Sequence, residues 1–218
     1  MGRRVMDVIS YLPEIGLIGD GALRKGVIEV WSRLWDMSKF ASPEDVPVLP
    51  GAEYPHMVHN RSVLNLVISA ADILEKYHGE RVKVNRDLLI AAAALQDSSK
   101  LVEYEPSEGG VRKSRLGEMF QHGFYAAHTA LEVGLPMEVA ELIVEHTFDN
   151  PTYPRTLEGK LVFYADQMDM AAIGLDRWRK VQAVFRRSKS APAPASAASL
   201  SLTVKPLLPT TELYIHSE

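Results

Sequence analysis

Five ionisable side chains occupy positions that helical periodicity assigns to buried faces. His59 precedes Val63 by four residues and projects from the same apolar stripe. Asp97 follows DLLIAAAALQ, a run that is apolar on nearly every side, where an unpaired carboxylate is costly. His122 lies three residues after Met119 and four before Ala126, His146 continues the face of Val139, Leu142 and Ile143, and Asp166 stands four after Val162. Taken singly, each has an ordinary explanation as a hydrogen-bonded core histidine or a capping aspartate. Together, three imidazoles and two carboxylates would leave a core with many unsatisfied groups. A divalent cation resolves this by neutralising the acids and using the imidazole lone pairs. No short-range pattern such as HExxH settles between these readings. The chain has no cysteine, which excludes disulfides, thiolate metal sites and cysteine nucleophiles. Any transition-metal site must therefore be built from imidazole and carboxylate.

The elements that must position these groups read as helices. Residues 20–37 repeat Leu23, Val27, Val30, Trp31 and Leu34 at three- and four-residue spacing behind a capping Asp20. Pro43 to Pro55 reads as a loop. An amphipathic helix runs from about His59, with Val63, Leu66, Val67, Ala70, Ile73, Leu74 and Tyr77 on one face. Asn85 or Asp87 opens the buried helix LLIAAAAL. A loop is expected at 108–110, helices at 114–133 and 137–146, a proline-containing loop at 150–155, and a helix over 157–187 with a break near Gly174. No sustained strand pattern precedes residue 200. The expected fold is all-α, with one helical domain over 1–188 and an Ala/Pro/Ser-rich linker and C-terminal tail over 189–218. A homodimer is one arrangement that this tail admits.

Composition narrows the function classes. The 218 residues are 46% hydrophobic and 24% charged, with a formal net charge of −4. That balance argues against bulk nucleic-acid or anionic-membrane binding. The basic run 177–189 reads as cations gathered near a helix C-terminus. No segment approaches the ~18 apolar residues of a membrane span. Asp7, Pro13 and Glu14 interrupt any secretory segment, and Met6 breaks the myristoylation pattern. The expectation is a cytoplasmic enzyme or binding protein. Among the remaining polar groups, His56 is expected in the loop before the helix and outside the metal shell. His128 reads as packing or surface, and His78 and His216 as exposed. The Glu103/Glu105 pair reads as solvated loop, Lys113 and Arg115 as solvated surface charge, and Arg61 as remote from the site.

The order His59, Gln96-Asp97, His122, His146, Asp166 resembles the HD-domain superfamily of metal-dependent phosphohydrolases, an all-α fold. The stretches carrying the likeness are HNRSVLNLVISAADIL, LLIAAAALQDSSKLVEYE, HGFYAAHTALEVGLPMEVAELIVEH and LEGKLVFYADQMDM, over about residues 55–170. The resemblance implies that His59, Gln96, Asp97 and Asp166 hold a first metal. It implies a second metal on Asp97, His122 and His146, with Asp97 as the bridge. Gln96 stands where the family has the histidine of its His-Asp doublet, and its carbonyl suits Mg or Mn better than Zn, Fe or Ni. Ser99 replaces a usual glycine, and Lys100 is kept. The implied activity is hydrolysis of a small anionic phosphorylated molecule, a phosphomonoester or nucleotide. One or two divalent ions (Mn, Fe, Co, Ni, Mg or Zn) would supply the chemistry, with Asp97 and Lys100 as catalytic groups. The superfamily also contains iron oxygenases and a hydratase, and the Gln96 departure admits a non-catalytic binding domain.

Overall fold

Capping residues decide where the helices begin. In the computed structural model, residues 4–149 and 153–175 are described, with isolated positions 182 and 186. The expected boundary at 188, the tail and His216 lie outside these residues, as does nearly all of the basic run 177–189. After a short helix α1 (Val8–Tyr11), the Asp20 carboxylate accepts from the Ala22 and Leu23 amides at 2.8 and 3.0 Å and opens α2 (Gly21–Met37). Its stripe Val27, Val30, Trp31 and Leu34 is fully buried. Helix α3 (His56–His78) follows, and then Asn85 caps α4 (Arg86–Leu95) through the Leu88 amide.

Helix α4 is the centre of the domain. Leu89 to Leu95 are all buried, and the helix packs against α2, α3 and two later helices, α8 (Met137–Glu145) and α9 (Leu157–Ala172). Its four consecutive alanines let neighbouring backbones approach closely. The Trp31 indole N–H donates to the Ala94 carbonyl at 3.1 Å, tying α2 to this helix near its C-terminal end. Beyond Leu95 the chain makes a buried turn, Gln96–Ser99, and enters the short helix α5 (Lys100–Glu103).

The all-α expectation holds, with four local corrections. The stretch after α5 is a two-stranded antiparallel hairpin, β1 (Tyr104–Ser107) and β2 (Gly110–Lys113), where the sequence reading placed a loop and no strand. Its glutamate, proline and glycine content hides the strand signal. The helix expected over 114–133 is two helices, α6 (Arg115–Met119) and α7 (Phe124–Glu132), parted at Gly123 with φ +81°. That left-handed backbone suits glycine. A Cβ at Gly123 would also lie 3.2 Å from the Ile143 carbonyl oxygen and 3.3 Å from the His146 ring. Helix α3 begins three residues earlier than expected, directly after Pro55, whose backbone is extended at ψ 134°. His56 is therefore a buried helical residue beside Trp31, at 5.7 Å between ring centroids, and not part of a loop. Helix α9 ends at Ala172, and Gly174 follows with φ +70° at the expected break. No helix among the described residues is long and apolar enough to cross a membrane.

Candidate metal centre

The buried turn after α4 carries Asp97, and four elements bring side chains to it. Its Oδ2 lies 3.1 Å from Nε2 of His59 on α3 and 3.4 Å from Nζ of Lys100. Its Oδ1 lies 2.6 Å from Nε2 of His122, in the break before α7, and 3.5 Å from Nε2 of His146, at the end of α8. On α9, Asp166 Oδ1 is 3.2 Å from His59 Nε2. Two groups result, His59–Asp97–Asp166 and Asp97–His122–His146, each with donor atoms within 4.8 Å of one another. Residues scattered over more than a hundred positions thus converge on one shared carboxylate.

Hydrogen bonds on the far side of each imidazole fix what faces Asp97. His59 Nδ1 meets Asp169 Oδ2 at 2.7 Å, and His122 Nδ1 meets Glu103 Oε2 at 2.9 Å. His146 Nδ1 bonds the Ile143 carbonyl, which can only accept, so the proton is on Nδ1. In the neutral rings, all three Nε2 lone pairs therefore point at carboxylate oxygens. Lone pair against lone pair is repulsive unless a cation or proton lies between them. Asp97 Oδ1, though fully buried, makes no well-aligned hydrogen bond with a described residue. The donor set therefore fits a divalent cation at each group, with every imidazole braced by an outer acceptor.

Protons take the cations' place when none is bound. Burial opposes a charge on His59, but hydrogen bonds to Asp166, Asp169 and Asp97 outweigh it and push its pKa up to about 11. Burial likewise disfavours charged His122, yet Glu103 and Asp97 raise it to about 9. Glu103 would be raised by burial, but His122, Lys100 and Ser99 hold it down at about 2. Asp97 is held well below the usual carboxylate range, because Lys100 and His122 overcome its burial.

Gln96 is fully buried beside this first group, with its side-chain amide nitrogen 3.4 Å from His59 Nε2 and Oε1 without a hydrogen-bond partner among the described residues. Lys100 is buried too, its ammonium donating to the Val48 carbonyl at 2.8 Å and facing Asp97. Both groups open into a cleft of about 600 Å³. Five carboxylates line it (Asp97, Glu103, Glu118, Asp149 and Asp166), against two lysines, Lys100 and Lys113. His59 and His122, when protonated, offset part of this charge, and bound cations would offset more of it for an incoming phosphate.

Several side chains differ from their sequence readings. Glu103 is no solvated loop residue: it is buried in α5 and braces His122, while Ser99 donates to its other oxygen. Glu105 is also buried, in β1, between Lys39 and Arg112. Asp169 was missed, although its three-residue spacing from Asp166 puts both on one face of α9; it also accepts from the Tyr54 hydroxyl at 3.2 Å. Arg61 points away and pairs with Glu14. His128 is half exposed and His78 exposed, as expected. Removing either outer acceptor charge should weaken its own corner. Asp169→Asn is expected to lower metal affinity at the His59 group, and Glu103→Gln at the His122 group, each by roughly 10- to 100-fold. Titration against a competing chelator reads the two stoichiometric steps, and equal loss at both steps would contradict the assignment.

Residues 58–171 match the HD domain. The chain is also 34% identical, over 112 residues, to the dihydroneopterin 2',3'-cyclic phosphate phosphodiesterase of Methanocaldococcus jannaschii. That match covers 51% of this chain and 44% of the relative, so the chain spans less than half the relative's length. No solved structure matches it. The matched span contains His59, Gln96, Asp97, His122, His146 and Asp166, on the helical bundle that the resemblance implied. By this match over half its length, the chain belongs to the HD-domain family.

Proposed function

We propose that this chain is a metal-dependent phosphohydrolase acting on a phosphate ester of a small molecule. The observation that carries the reading is the pair of ligand groups sharing Asp97 in the floor of an open cleft. His59, Asp97 and Asp166 would hold one cation, with Gln96 beside them; Asp97, His122 and His146 would hold the other. When bound, such a pair supplies Lewis acidity to phosphoryl oxygens and acidifies water. The protein's own contributions are separate. Asp169, Glu103 and the Ile143 carbonyl keep the Nδ1 protons in place and the Nε2 lone pairs aimed inward. Lys100, held by Val48 and Asp97, places a fixed positive charge where a phosphate would enter. The relative acts on a cyclic phosphodiester, by its name. Cyclic phosphodiesters therefore join the phosphomonoesters and nucleotides expected from sequence as first substrates to assay.

The test is reconstitution of metal-stripped protein with Mn2+, Fe2+, Co2+, Ni2+, Zn2+ or Mg2+ in turn, then assay on a 2',3'-cyclic nucleotide and on phosphomonoesters. Hydrolysis that requires the added ion supports the reading. Metal uptake with no turnover would favour a binding domain, and oxygen consumption by the iron form would favour an oxygenase. Gln96→His should sharpen the outcome. Imidazole is the stronger ligand for Zn, Fe and Ni, and the variant is expected to tighten the first corner by about tenfold or more. Unchanged affinity would mean that residue 96 does not face the metal.

A further inference from the structure

The walls of the cleft carry aromatic rings beside its charged floor. Phe120 lines the cleft and keeps 37% of its surface exposed. Its ring stacks on Phe124 at 5.1 Å between centroids and 14° between planes. Phe124 in turn lies parallel to His128, at 6.3 Å and 8°. Three rings thus form one pile, and its cleft-side member is Phe120. Met119, 62% exposed, extends the same wall. Phe148 also lines the cleft, two residues beyond His146.

A phosphate alone uses none of this. Its recognition needs cations and donors, and it fills only a small part of about 600 Å³. Covering an exposed phenyl surface with an apolar or aromatic group removes it from water at a gain of about 25 cal/mol per Å². Phe120 also meets the Tyr125 ring, tilted by 38° at 6.3 Å, and what suits the electron-rich ring surface it leaves to the cleft is another flat ring, whose stacking tolerates many heteroaromatic systems. Phe120 is two residues from His122, so their backbones are at most about 7 Å apart. A ring on that shelf therefore needs only a short linker, such as a sugar or polyol, for its phosphate to reach the floor.

We infer that the Phe120 shelf takes the planar heteroaromatic ring of a phosphorylated substrate, stacked on the ring surface left to the cleft while the phosphate meets the Asp97 floor. This rests on the phosphohydrolase reading for where the phosphate sits. Selectivity then comes from two ends of the cleft: charge chooses the phosphate and Phe120 chooses the ring.

The test compares binding of guanosine 5'-monophosphate and ribose 5-phosphate to Mn2+-loaded protein by calorimetry, which does not depend on turnover. The ring-bearing ligand is expected to bind at least about tenfold more tightly. Phe120→Leu, which keeps an apolar side chain, should collapse that ratio toward one, and Phe120→Tyr should preserve it. Equal affinities in the unmodified protein, no binding of either ligand, or a ratio untouched by Phe120→Leu would each overturn the inference. If the ratio behaves as expected while no phosphate ester is hydrolysed, the hydrolase reading fails and the shelf survives it.

Discussion

Asp97→Asn is expected to empty both corners at once. The amide keeps the shape of the side chain but loses the negative charge shared by His59, His122, His146 and Lys100. Metal content measured on purified protein should fall from two ions per chain to none. The proposed hydrolysis should fall at least about a thousandfold, or about 4 kcal/mol of barrier at ~1.36 kcal/mol per decade. The metal-free protein should also be less stable, by roughly 3–5 kcal/mol, because a buried lysine and two protonated histidines lose their counter-charge. Circular dichroism and denaturant titration separate this loss from the loss of binding. Retention of two ions in a folded variant would refute the bridging role.

Metal affinity should climb steeply with pH. His59, with its pKa pushed up to about 11, and His122, raised to about 9, hold protons on the nitrogens that a cation needs. Loading each corner must therefore release a proton. Between pH 6 and 8 the apparent affinity at each corner should rise about tenfold per pH unit. Calorimetry in buffers of different ionisation enthalpy should count about one proton per ion. A flat profile would mean that the imidazoles are already unprotonated.

The stability of the metal-free chain carries the opposite sign at high pH. Both histidines have raised values, so their contribution is fully present below about 6.5 and is lost as pH climbs through about 9 and then about 11. Glu103, lowered to about 2, contributes above its ordinary range and loses that contribution only as pH falls through about 2. The metal-free melting temperature should therefore sag above pH 9, while the loaded form holds.

Sequence made the inner groups legible because each broke an apolar pattern. His59, Asp97, His146 and Asp166 interrupt buried helical faces, and a polar residue there demands a partner. His122 was identified on the same ground, yet it stands in a break between helices at Gly123, so the periodicity behind its assignment was not there. The outer groups left weaker marks. Glu103 and Glu105 alternate in LVEYEP as exposed residues do, and their burial comes from non-local partners: His122, Lys39 and Arg112. Gly117 shows the same limit. A Cβ there would lie 2.2 Å from the Glu103 carbonyl oxygen, so the glycine lets α6 close over α5. Nothing within ten residues of either position announces that contact. His56 was misplaced by a helix boundary three residues wrong, the size of error that moves a side chain from loop to core.

The Ile143 carbonyl that orients His146 belongs to the last turn of a nine-residue helix, where carbonyls lack donors from their own spiral. His146 supplies that missing donor. Fraying of the turn and withdrawal of the imidazole from Asp97 are thus a single event. Escape of an ion held, as proposed, at the second corner would follow the brief unwinding of one helix end, long before the domain as a whole comes apart.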